Sequence, residues 1–515
     1  MTQNQRPIGK TLSWGLLLAL LLLLTNTFAQ KSSVFDQLDL LVDVRHELTR
    51  NYVDKPDTEA MTNAAVEAMV ESLDDPYTNY LKPDQLDRFN KSMQGEFSGI
   101  GAQVDMSQDR LRIVTPLEDS PAWEAGVMAG DIVLQINGES TLDLSLQEAV
   151  DKLTGEPGTD VTIRVRHESG EEETITITRA VIDVQTVRGF RRGADGAEQY
   201  MLDPDSDIAY IRVTQFSRKT AGEMRQALNT LQGEGINGLI LDLRFNPGGV
   251  LEGAVAVSNM FLEKGKRIVS VEGRTVPEKV HRAKARTIMP QLPIVVLANE
   301  ASASAAEIVT GALKDNDRAF VVGTRTFGKG SVQELRMLES NQGALKITNA
   351  HYYLPSGRNI HRDPDDDTWG VDPSEGAYVP MSQDQIREMI EIRRENEVLR
   401  RNEDKPTNNG SNSSENGEKA ESAQTAPATQ PAIDPAWLEQ QRADPQLAAA
   451  LKAIRAKLKA DRWPKVGQDG ADQLAQKRER QQLRKQREQL QQQLESVEKR
   501  LDALAPGRPA TQPSE

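Results

Sequence analysis

A serine and a lysine lie in two short segments whose residue types suit nucleophilic catalysis. Ser304 is surrounded by small residues in Asn-Glu-Ala-Ser-Ala-Ser-Ala-Ala-Glu, residues 299–307, where a helix predicted over residues 303–313 begins. Lys329 lies between two glycines in Thr-Phe-Gly-Lys-Gly-Ser-Val-Gln, residues 326–333. A serine hydroxyl is a weak nucleophile until a base takes its proton. A lysine can be that base when burial lowers its pKa enough to leave the amine neutral. The two segments therefore predict a hydrolase with a serine nucleophile and a lysine base.

Backbone N–H groups near Ser304 are candidates to bind the oxyanion of a tetrahedral intermediate. The start of the predicted helix offers a positive dipole end, so the N–H of Ala305 is a natural donor. Asp-Leu-Arg-Phe-Asn-Pro-Gly-Gly, residues 242–249, has the pattern of a strand, a turn and a helix start. It predicts a second donor at Gly248 or Gly249. Taken alone, Ser304 could instead be a helix N-cap, which is the commoner role of such a serine.

The glycines around Lys329 also form most of a phosphate-binding P-loop. Gly323-x-x-x-x-Gly328-Lys329 follows a predicted strand, but a P-loop needs Ser or Thr after the lysine to hold magnesium. Gly330 stands there and no helical pattern follows, so we favour the catalytic interpretation. Gln333, four residues after the lysine, could hydrogen-bond the amine and orient it, or could be a surface residue of a strand.

Composition argues against several other kinds of site. The 515 residues allow about two to four domains, and the net charge of −15 argues against a nucleic-acid partner. The chain has no cysteine, which removes disulfides, thiolate metal sites, a cysteine nucleophile and a lipid-anchor cysteine. The five histidines show no zinc-binding spacing. We therefore expect no metal and no cofactor.

The N-terminus has the pattern of a secretory signal peptide over residues 1–29. Two basic residues precede an apolar run from Trp14 to Leu24, and residues 27–29 form a small-x-small cleavage site. The run is short for a membrane span of about 20 residues, so we favour cleavage over an uncleaved membrane anchor. In either case we expect the folded part to be exported to the periplasm or the cell envelope.

Hydrophobic periodicity divides the rest of the chain into segments. Residues 34–94 show helical spacing and predict two or three helices. Residues 95–182 show strand spacing. Residues 183–395 alternate apolar strands with helical patterns, which predicts an α/β layered domain. Residues 401–432 are almost free of large apolar side chains and predict a disordered linker.

Two further helices are predicted near the C-terminus. Residues 433–465 contain an apolar helical pattern that begins at Asp444. Residues 472–505 carry leucines and a valine at heptad spacing over about three heptads, the lower limit for a coiled coil. A short coiled coil and a lone amphipathic helix both remain open for this segment.

The segment 95–182 resembles a PDZ domain over its whole length. A loop Phe-Ser-Gly-Ile-Gly is followed by Ala-Gly-Val-Met-Ala-Gly-Asp, residues 125–131, and Ile-Asn-Gly, residues 136–138. In PDZ domains the N–H groups of such a loop hold a peptide's C-terminal carboxylate, and the next strand pairs with the peptide. The resemblance implies that protein or peptide C-termini bind at Gly99, Ile100, Gly101 and Ala102.

As a whole the chain resembles the carboxy-terminal processing peptidases, also called tail-specific proteases, from residue 34 to 395 and again from Asp444. Motifs occur in the family's order: Leu-Asp-Asp-Pro-Tyr, the PDZ-like segment, Asp-Leu-Arg-x-Asn-Pro-Gly-Gly, Ser-Ala-Ser-Ala-x-Glu, Phe-Gly-Lys-Gly-Ser-Val-Gln and Tyr-x-Pro-Ser-Gly-Arg. The resemblance implies that Ser304 is the nucleophile, that Lys329 is the base and that Gln333 assists it. It also implies a core of crotonase/Clp type, flanked by a helical N-terminal segment and a helical C-terminal tail.

The resemblance implies an exported serine endopeptidase that recognises substrate C-termini through its PDZ domain. It would cleave peptide bonds through an acyl-enzyme, in the processing or degradation of cell-envelope proteins, with an adaptor protein as a possible partner. In this family terminal helices form a dimer contact, so we expect a homodimer held by the N-terminal helices and the helix that begins at Asp444.

Three other functions fit parts of the sequence less well. A PDZ scaffold with an inactive core is disfavoured because both catalytic residues are present. A hydratase or thioesterase of the crotonase fold would need cytoplasmic acyl-CoA. A Ser-His-Asp esterase using His351 or His361 lacks the Gly-x-Ser-x-Gly motif.

Overall fold

The computed structural model describes residues 38–107, 110–117, 120–167, 169–193, 197–339, 343–363, 368–397 and 433–469, with isolated positions between 483 and 494. The predicted signal peptide, the predicted linker and most of the predicted heptad segment lie outside these residues. Internal contacts divide the chain into two units, Met1–Lys82 with Leu335–Ile347, and Pro83–Glu334 with Thr348–Glu515. Within the described residues no helix combines the length and the apolar character that a membrane span requires.

The first unit contains two helices and a short strand. Helix α1 covers residues 38–51, helix α2 is Thr58–Glu71 and strand β1 is Asn79–Leu81. The Asp57 carboxylate caps α2 by accepting the N–H groups of its first turn. β1 pairs antiparallel with residues 344–346. Every side chain of α1 is exposed, its leucines and valines included, so this helix presents an uncovered apolar surface within the described part of the chain.

The second unit begins with the segment that resembles a PDZ domain. Its elements, in chain order, are α3 Pro83–Gln94, β2 Glu96–Gly99, β3 Ala102–Ser107, β4 Arg110–Pro116, α4 Pro121–Glu124, β5 Ile132–Ile136, β6 Glu139–Ser140, α5 Leu146–Leu153, β7 Asp160–Arg166, β8 Glu172–Thr178 and β9 Ala180–Asp183. Strands β3, β4, β5, β7 and β8 form one antiparallel sheet in that order, with β3 at its edge. β2 and β9 pair with each other, so the chain enters and leaves this domain at one place.

The chain then builds an α/β core. Its elements are β10 Val187–Arg188, β11 Arg191–Arg192, β12 Glu198–Gln199, β13 Met201–Asp203, β14 Ile208–Val213, α6 Thr220–Glu234, β15 Gly238–Asp242, α7 Leu251–Phe261, β16 Arg267–Glu272, β17 Lys279–Arg282, β18 Ile294–Ala298, α8 Ala305–Asp315, β19 Phe320–Gly323, β20 Ser331–Met337, β21 Ala344–Tyr353, α9 Gln383–Glu397, α10 Pro435–Gln441 and α11 Pro445–Ala460. β14, β15, β18 and β19 pair in parallel in that order. The intervening helices α6, α7 and α8 supply the crossovers that parallel pairing requires.

Alternate residues of the central strands are buried on opposite faces of this sheet. Leu241 packs in the same cluster as residues of α6, α7 and α8, whereas Ile240 packs on the other face with Leu451 of α11. Gly238 allows α11 to come close, because a Cβ there would lie 2.7 Å from the Ile454 Cδ1. Both faces are thus covered, which explains why these strands are continuous apolar runs in the sequence.

Two elements differ from their sequence predictions. Helix α8 begins at Ala305 rather than at residue 303, because Ser304 has φ of +53° and ψ of −114°, which no right-handed helix accommodates. The helix that begins after Asp444, expected at a dimer contact, packs instead on the sheet of its own chain. Its apolar face is therefore not available to a partner.

Candidate active site

The predicted nucleophile lies in a strained turn between a central strand and a helix. Ser304 directly precedes α8, is 7% exposed, and has a positive φ that residues other than glycine seldom adopt. The Ser302 hydroxyl donates to the Leu243 carbonyl oxygen at 2.8 Å, and the Ala303 N–H donates to the Asn246 carbonyl oxygen at 2.9 Å. These bonds hold the nucleophile turn against the loop in which the sequence predicts the second oxyanion donor.

A glycine brings that second loop into contact with Ser304. A Cβ at Gly248, whose φ is +97°, would lie 2.8 Å from the Ser304 Cβ, so no larger residue fits. The Gly248 N–H already donates to the Asn246 Oδ1 at 2.8 Å. The N–H groups of Gly249 and Ala305 donate to no other residue that the structure describes. They are therefore the better candidates to bind an oxyanion, and Gly248 provides the space beside them.

The predicted base lies on a loop that packs closely on the rest of the core. Lys329 is followed by Gly330, where a Cβ would collide with the backbone nitrogen of His361. The Phe327 N–H donates to the Ser302 carbonyl oxygen at 3.0 Å. The lysine loop is thus joined directly to the nucleophile turn by a backbone hydrogen bond.

One buried carboxylate binds the backbone of both predicted catalytic residues. The Glu307 Oε2 accepts the N–H of Ser304 and the N–H of Lys329, each at 2.8 Å. Its Oε1 accepts the Thr326 hydroxyl at 2.5 Å and the Gly328 N–H at 2.7 Å. Glu307 is 0% exposed. Burial raises its pKa to about 6, while these four hydrogen bonds, which favour the ionised carboxylate, oppose the rise.

Gln333 lies on β20, which follows the lysine loop. Its Nε2 donates to the Ser331 hydroxyl at 2.9 Å and to the Thr348 hydroxyl at 3.1 Å. Both amide protons are therefore used within the core, and the Oε1 remains as the acceptor of this side chain. An amide oxygen fixed in this way suits the orientation of a lysine amine.

Sequence analysis missed Glu307, which contacts Ser304. Glu307 stands three residues after it, which is the Ser-x-x-Glu spacing of a capping box, and that spacing was the available signal.

A buried charge cluster lies at the start of the segment 242–249, which ends with Gly248 and Gly249. Arg244, which is 0% exposed in its side chain, donates to both carboxylate oxygens of Asp242 at 3.0 and 2.7 Å and to those of Asp444 at 2.7 and 2.8 Å. The Tyr210 hydroxyl donates to Asp242 at 2.7 Å. Burial opposes ionisation of Asp242, but the Arg244 guanidinium holds its pKa well below the usual range. The cluster connects the end of β15 to Asp444, the N-cap of α11.

The glycine loop of the PDZ-like domain has the features of a carboxylate-binding loop. The Ile100 carbonyl oxygen accepts the Ala122 N–H at 2.8 Å, and the Gly101 carbonyl oxygen accepts the Ser120 hydroxyl at 2.8 Å. The N–H groups of Ile100 and Gly101 donate to nothing else in the described chain. Gly99 pairs with Thr154 just after α5, and Ala102 begins the edge strand β3. The loop therefore offers free donors beside an open strand edge.

Comparison with family models identifies two regions. Residues 207–374 match the model of peptidase family S41, and residues 112–167 match that of a PDZ domain. The first region contains Ser304, Lys329 and Gln333, and the second contains β5, β6, β7 and most of β4.

Curated relatives cover most of the chain. A carboxy-terminal-processing protease of Bartonella bacilliformis is 37% identical over 340 residues, which are 65% of this chain and 75% of the relative. The carboxy-terminal processing protease CtpA of Bacillus subtilis is 34% identical over 348 residues, 68% of this chain and 70% of the relative. Among solved structures, the photosystem II D1 C-terminal processing protease is 28% identical and has a TM-score of 0.40, with coverage of 66% of this chain and 92% of that chain.

Proposed function

The chain belongs to peptidase family S41, as a serine protease among the carboxy-terminal processing proteases, and from this premise we propose that it is an exported endopeptidase with a Ser304/Lys329 dyad. The observation that carries the proposal is the position of Glu307. Its Oε2 accepts the N–H groups of both Ser304 and Lys329, so these two residues, far apart in sequence, lie on either side of one carboxylate oxygen.

The dyad acts by ordinary nucleophilic catalysis. The neutral Lys329 amine takes the Ser304 hydroxyl proton while Oγ attacks the carbonyl carbon of the scissile bond. The oxyanion accepts hydrogen bonds from the N–H groups of Ala305 and Gly249. The lysine ammonium then returns the proton to the leaving amine, and an acyl-enzyme remains. Water, deprotonated by the same lysine, hydrolyses that ester. Gln333 orients the amine through its Oε1.

The PDZ domain selects substrates by their C-termini. A peptide carboxylate binds the N–H groups of Ile100 and Gly101, and the peptide backbone pairs with β3 from Ala102 onwards. Gly101 allows the chain to make this turn, since its φ is +77°. A free C-terminus is thereby held while another part of the unfolded substrate enters the catalytic site.

Location and assembly complete the proposal. The signal peptide sends the folded part to the periplasm or the cell envelope, where envelope proteins are processed or degraded. The exposed apolar side chains of α1 form the contact of a homodimer. The predicted heptad segment, residues 472–505, either adds to that contact or binds an adaptor. We also assign the core to the crotonase/Clp type, on the resemblance of its motifs.

Paired substrates test the recognition step. Purified protein without the signal peptide is incubated with one unfolded protein substrate prepared as the free acid and as the C-terminal amide. The amide lacks the negative charge that the PDZ loop at Ile100 and Gly101 is proposed to bind. We therefore expect the kcat/KM of the amide to be roughly tenfold lower than that of the acid. Deletion of residues 97–182 should remove this difference. Equal cleavage of the acid and the amide by the intact protein would contradict the recognition model, and cleavage by Ser304→Ala would contradict the dyad.

A further inference from the structure

A cavity lies beside the buried charge cluster at the start of the segment 242–249. Arginines from three elements line it, namely Arg212 of β14, Arg393 of α9 and Arg442 at the end of α10, together with Asp444 of the cluster. The space that water-sized groups can occupy in this cavity is about 40 Å³, whereas one water needs about 10–15 Å³. The cavity therefore suits one small polyatomic ion.

The carboxylates of the charge cluster are already paired. Arg244 donates to both carboxylate oxygens of Asp242 and to both of Asp444, at 2.7–3.0 Å. The Arg393 Nη2 lies 3.5 Å from the Asp242 carboxylate and 3.7 Å from that of Asp444. Two arginines thus balance two aspartates, and the cluster has no negative charge left over for a third arginine.

Arg442 is a third arginine at this cavity, and its contacts are aromatic. Its guanidinium carbon lies 5.1 Å from the centre of the Phe190 ring and 5.6 Å from the centre of the Trp437 ring. Within the part of the chain that the structure describes, no carboxylate forms an ion pair with it. Aromatic rings attract a cation but carry no net charge, so they do not neutralise the guanidinium.

Positive charge is therefore in excess around Arg442. Burial and the like charges of Arg191 and Arg393 lower the pKa of Arg442, and the attraction of Asp444 opposes them only in part. An anion in the cavity would offset this excess. Because the site is partly removed from water, the attraction between the anion and the arginines would be stronger than at an exposed surface.

We propose that this cavity binds one small oxyanion, a phosphate or a carboxylate group, between the guanidinium groups of Arg393 and Arg442. A guanidinium offers paired N–H donors whose spacing matches two oxygens of such an ion. Arg212, which also lines the cavity, adds a third positive charge. Because Arg393 belongs to α9 and Arg442 ends α10, a bound ion joins these two helices. The site shares no residue with the proposed catalytic machinery.

Thermal unfolding of the full chain without its signal peptide tests the site. Midpoints are measured at constant pH and ionic strength while inorganic phosphate replaces chloride. We expect a rise of about 2–5 °C in the wild type, because a ligand of the native state stabilises it. Arg442→Met keeps an apolar stem beside Phe190 but removes the charge, so its midpoint should not respond. Arg462→Met removes an exposed charge just beyond α11 and should respond as the wild type does. An equal rise in all three proteins, which is the general effect of an excluded salt, overturns the proposal, as does no rise in the wild type.

Titration calorimetry measures the stoichiometry and distinguishes the two sources of the oxyanion. Inorganic phosphate and acetate are titrated separately into the wild type, Arg442→Met and Ser304→Ala. We expect one ion per chain in the wild type and in Ser304→Ala, and none in Arg442→Met. Binding of phosphate alone assigns the site to phosphate, and binding of acetate as well extends it to carboxylates. Binding that Arg442→Met retains at wild-type affinity would place the ion elsewhere and overturn the proposal.

Discussion

Glu307 is the single residue that holds the backbone of both members of the proposed dyad. Its four hydrogen bonds come from N–H and O–H donors, and only a carboxylate has enough lone pairs to accept them all. We expect Glu307→Gln to lower kcat about 10- to 1,000-fold. The NH2 group of the glutamine cannot accept hydrogen bonds from the N–H and O–H groups that it would face, so Ser304 or Lys329 is displaced. Glu300→Gln is the control: Glu300 is exposed and accepts one hydroxyl, from Thr324. Equal activity of the two variants would show that the carboxylate is dispensable.

The same residue predicts a pH dependence of stability. Burial raises the Glu307 pKa from 4.5 to about 6, so the native state holds this proton more tightly than the unfolded state does. The resulting stabilisation is fully present below pH 4.5 and is lost as pH rises through 6, a change of about 2 kcal/mol in the free energy of unfolding. Denaturant titrations between pH 4 and 8 should show this slope in the wild type. If Glu307→Gln shows the same slope, another group is responsible.

Sequence motifs single out Ser304 and Lys329 because each lies in a short stretch of unusual composition, and their catalytic roles stay predictions. Besides the Ala305 N–H, the second candidate oxyanion donor could be narrowed only to Gly248 or Gly249. The fact that the Gly248 N–H is occupied by Asn246 depends on the exact turn. The hydrogen bond from the Lys329 N–H to Glu307 could not be predicted, because it joins residues 22 positions apart in the chain through tertiary packing alone.

Helix α11 covers one face of the central sheet. It is held there by the Arg244–Asp444 ion pair as well as by apolar contacts. Arg244→Met would remove the close guanidinium partner of Asp242 and Asp444 and leave only that of Arg393, at 3.5 and 3.7 Å from them. We expect a loss of about 3–5 kcal/mol in unfolding free energy, measured by denaturant titration. Lys452→Met breaks an ion pair with Glu439 on the exposed side of the same helix and should cost about 0–1 kcal/mol. Comparable losses in both variants would contradict the structural role of the cluster.

Sequence periodicity predicted the central strands well, because strands buried on both faces are unbroken apolar runs. It could not predict what covers the second face. The residues of α11 that pack there are ordinary alanines and leucines, and a dimer contact would select the same types. The close approach of Ile454 to Gly238, which is visible only in the structure, shows that α11 packs on the sheet of its own chain.

We assign the proposed dimer contact to α1, since α11 packs within its own chain. Leu41 and Leu48 are exposed and lie two turns apart on one face of the helix. The double variant Leu41→Glu, Leu48→Glu should convert a dimer to a monomer by light scattering. Leu483→Glu with Leu490→Glu, in the predicted heptad segment, is the matched control. A wild-type monomer would end the dimer hypothesis, and dissociation by the second pair alone would assign the contact to the heptad segment.

Trapping of the acyl-enzyme tests the central claim most directly. The protein without its signal peptide is mixed with an activated peptide ester across a range of pH, and the covalent adduct is located and timed by mass spectrometry. We predict an adduct on Ser304, formed faster as pH rises because the Lys329 amine loses its proton. Lys329→Ala should slow adduct formation roughly 10²- to 10⁴-fold and abolish that rise. An adduct on another residue, or a Lys329→Ala protein that acylates at the wild-type rate, would contradict the Ser304/Lys329 dyad.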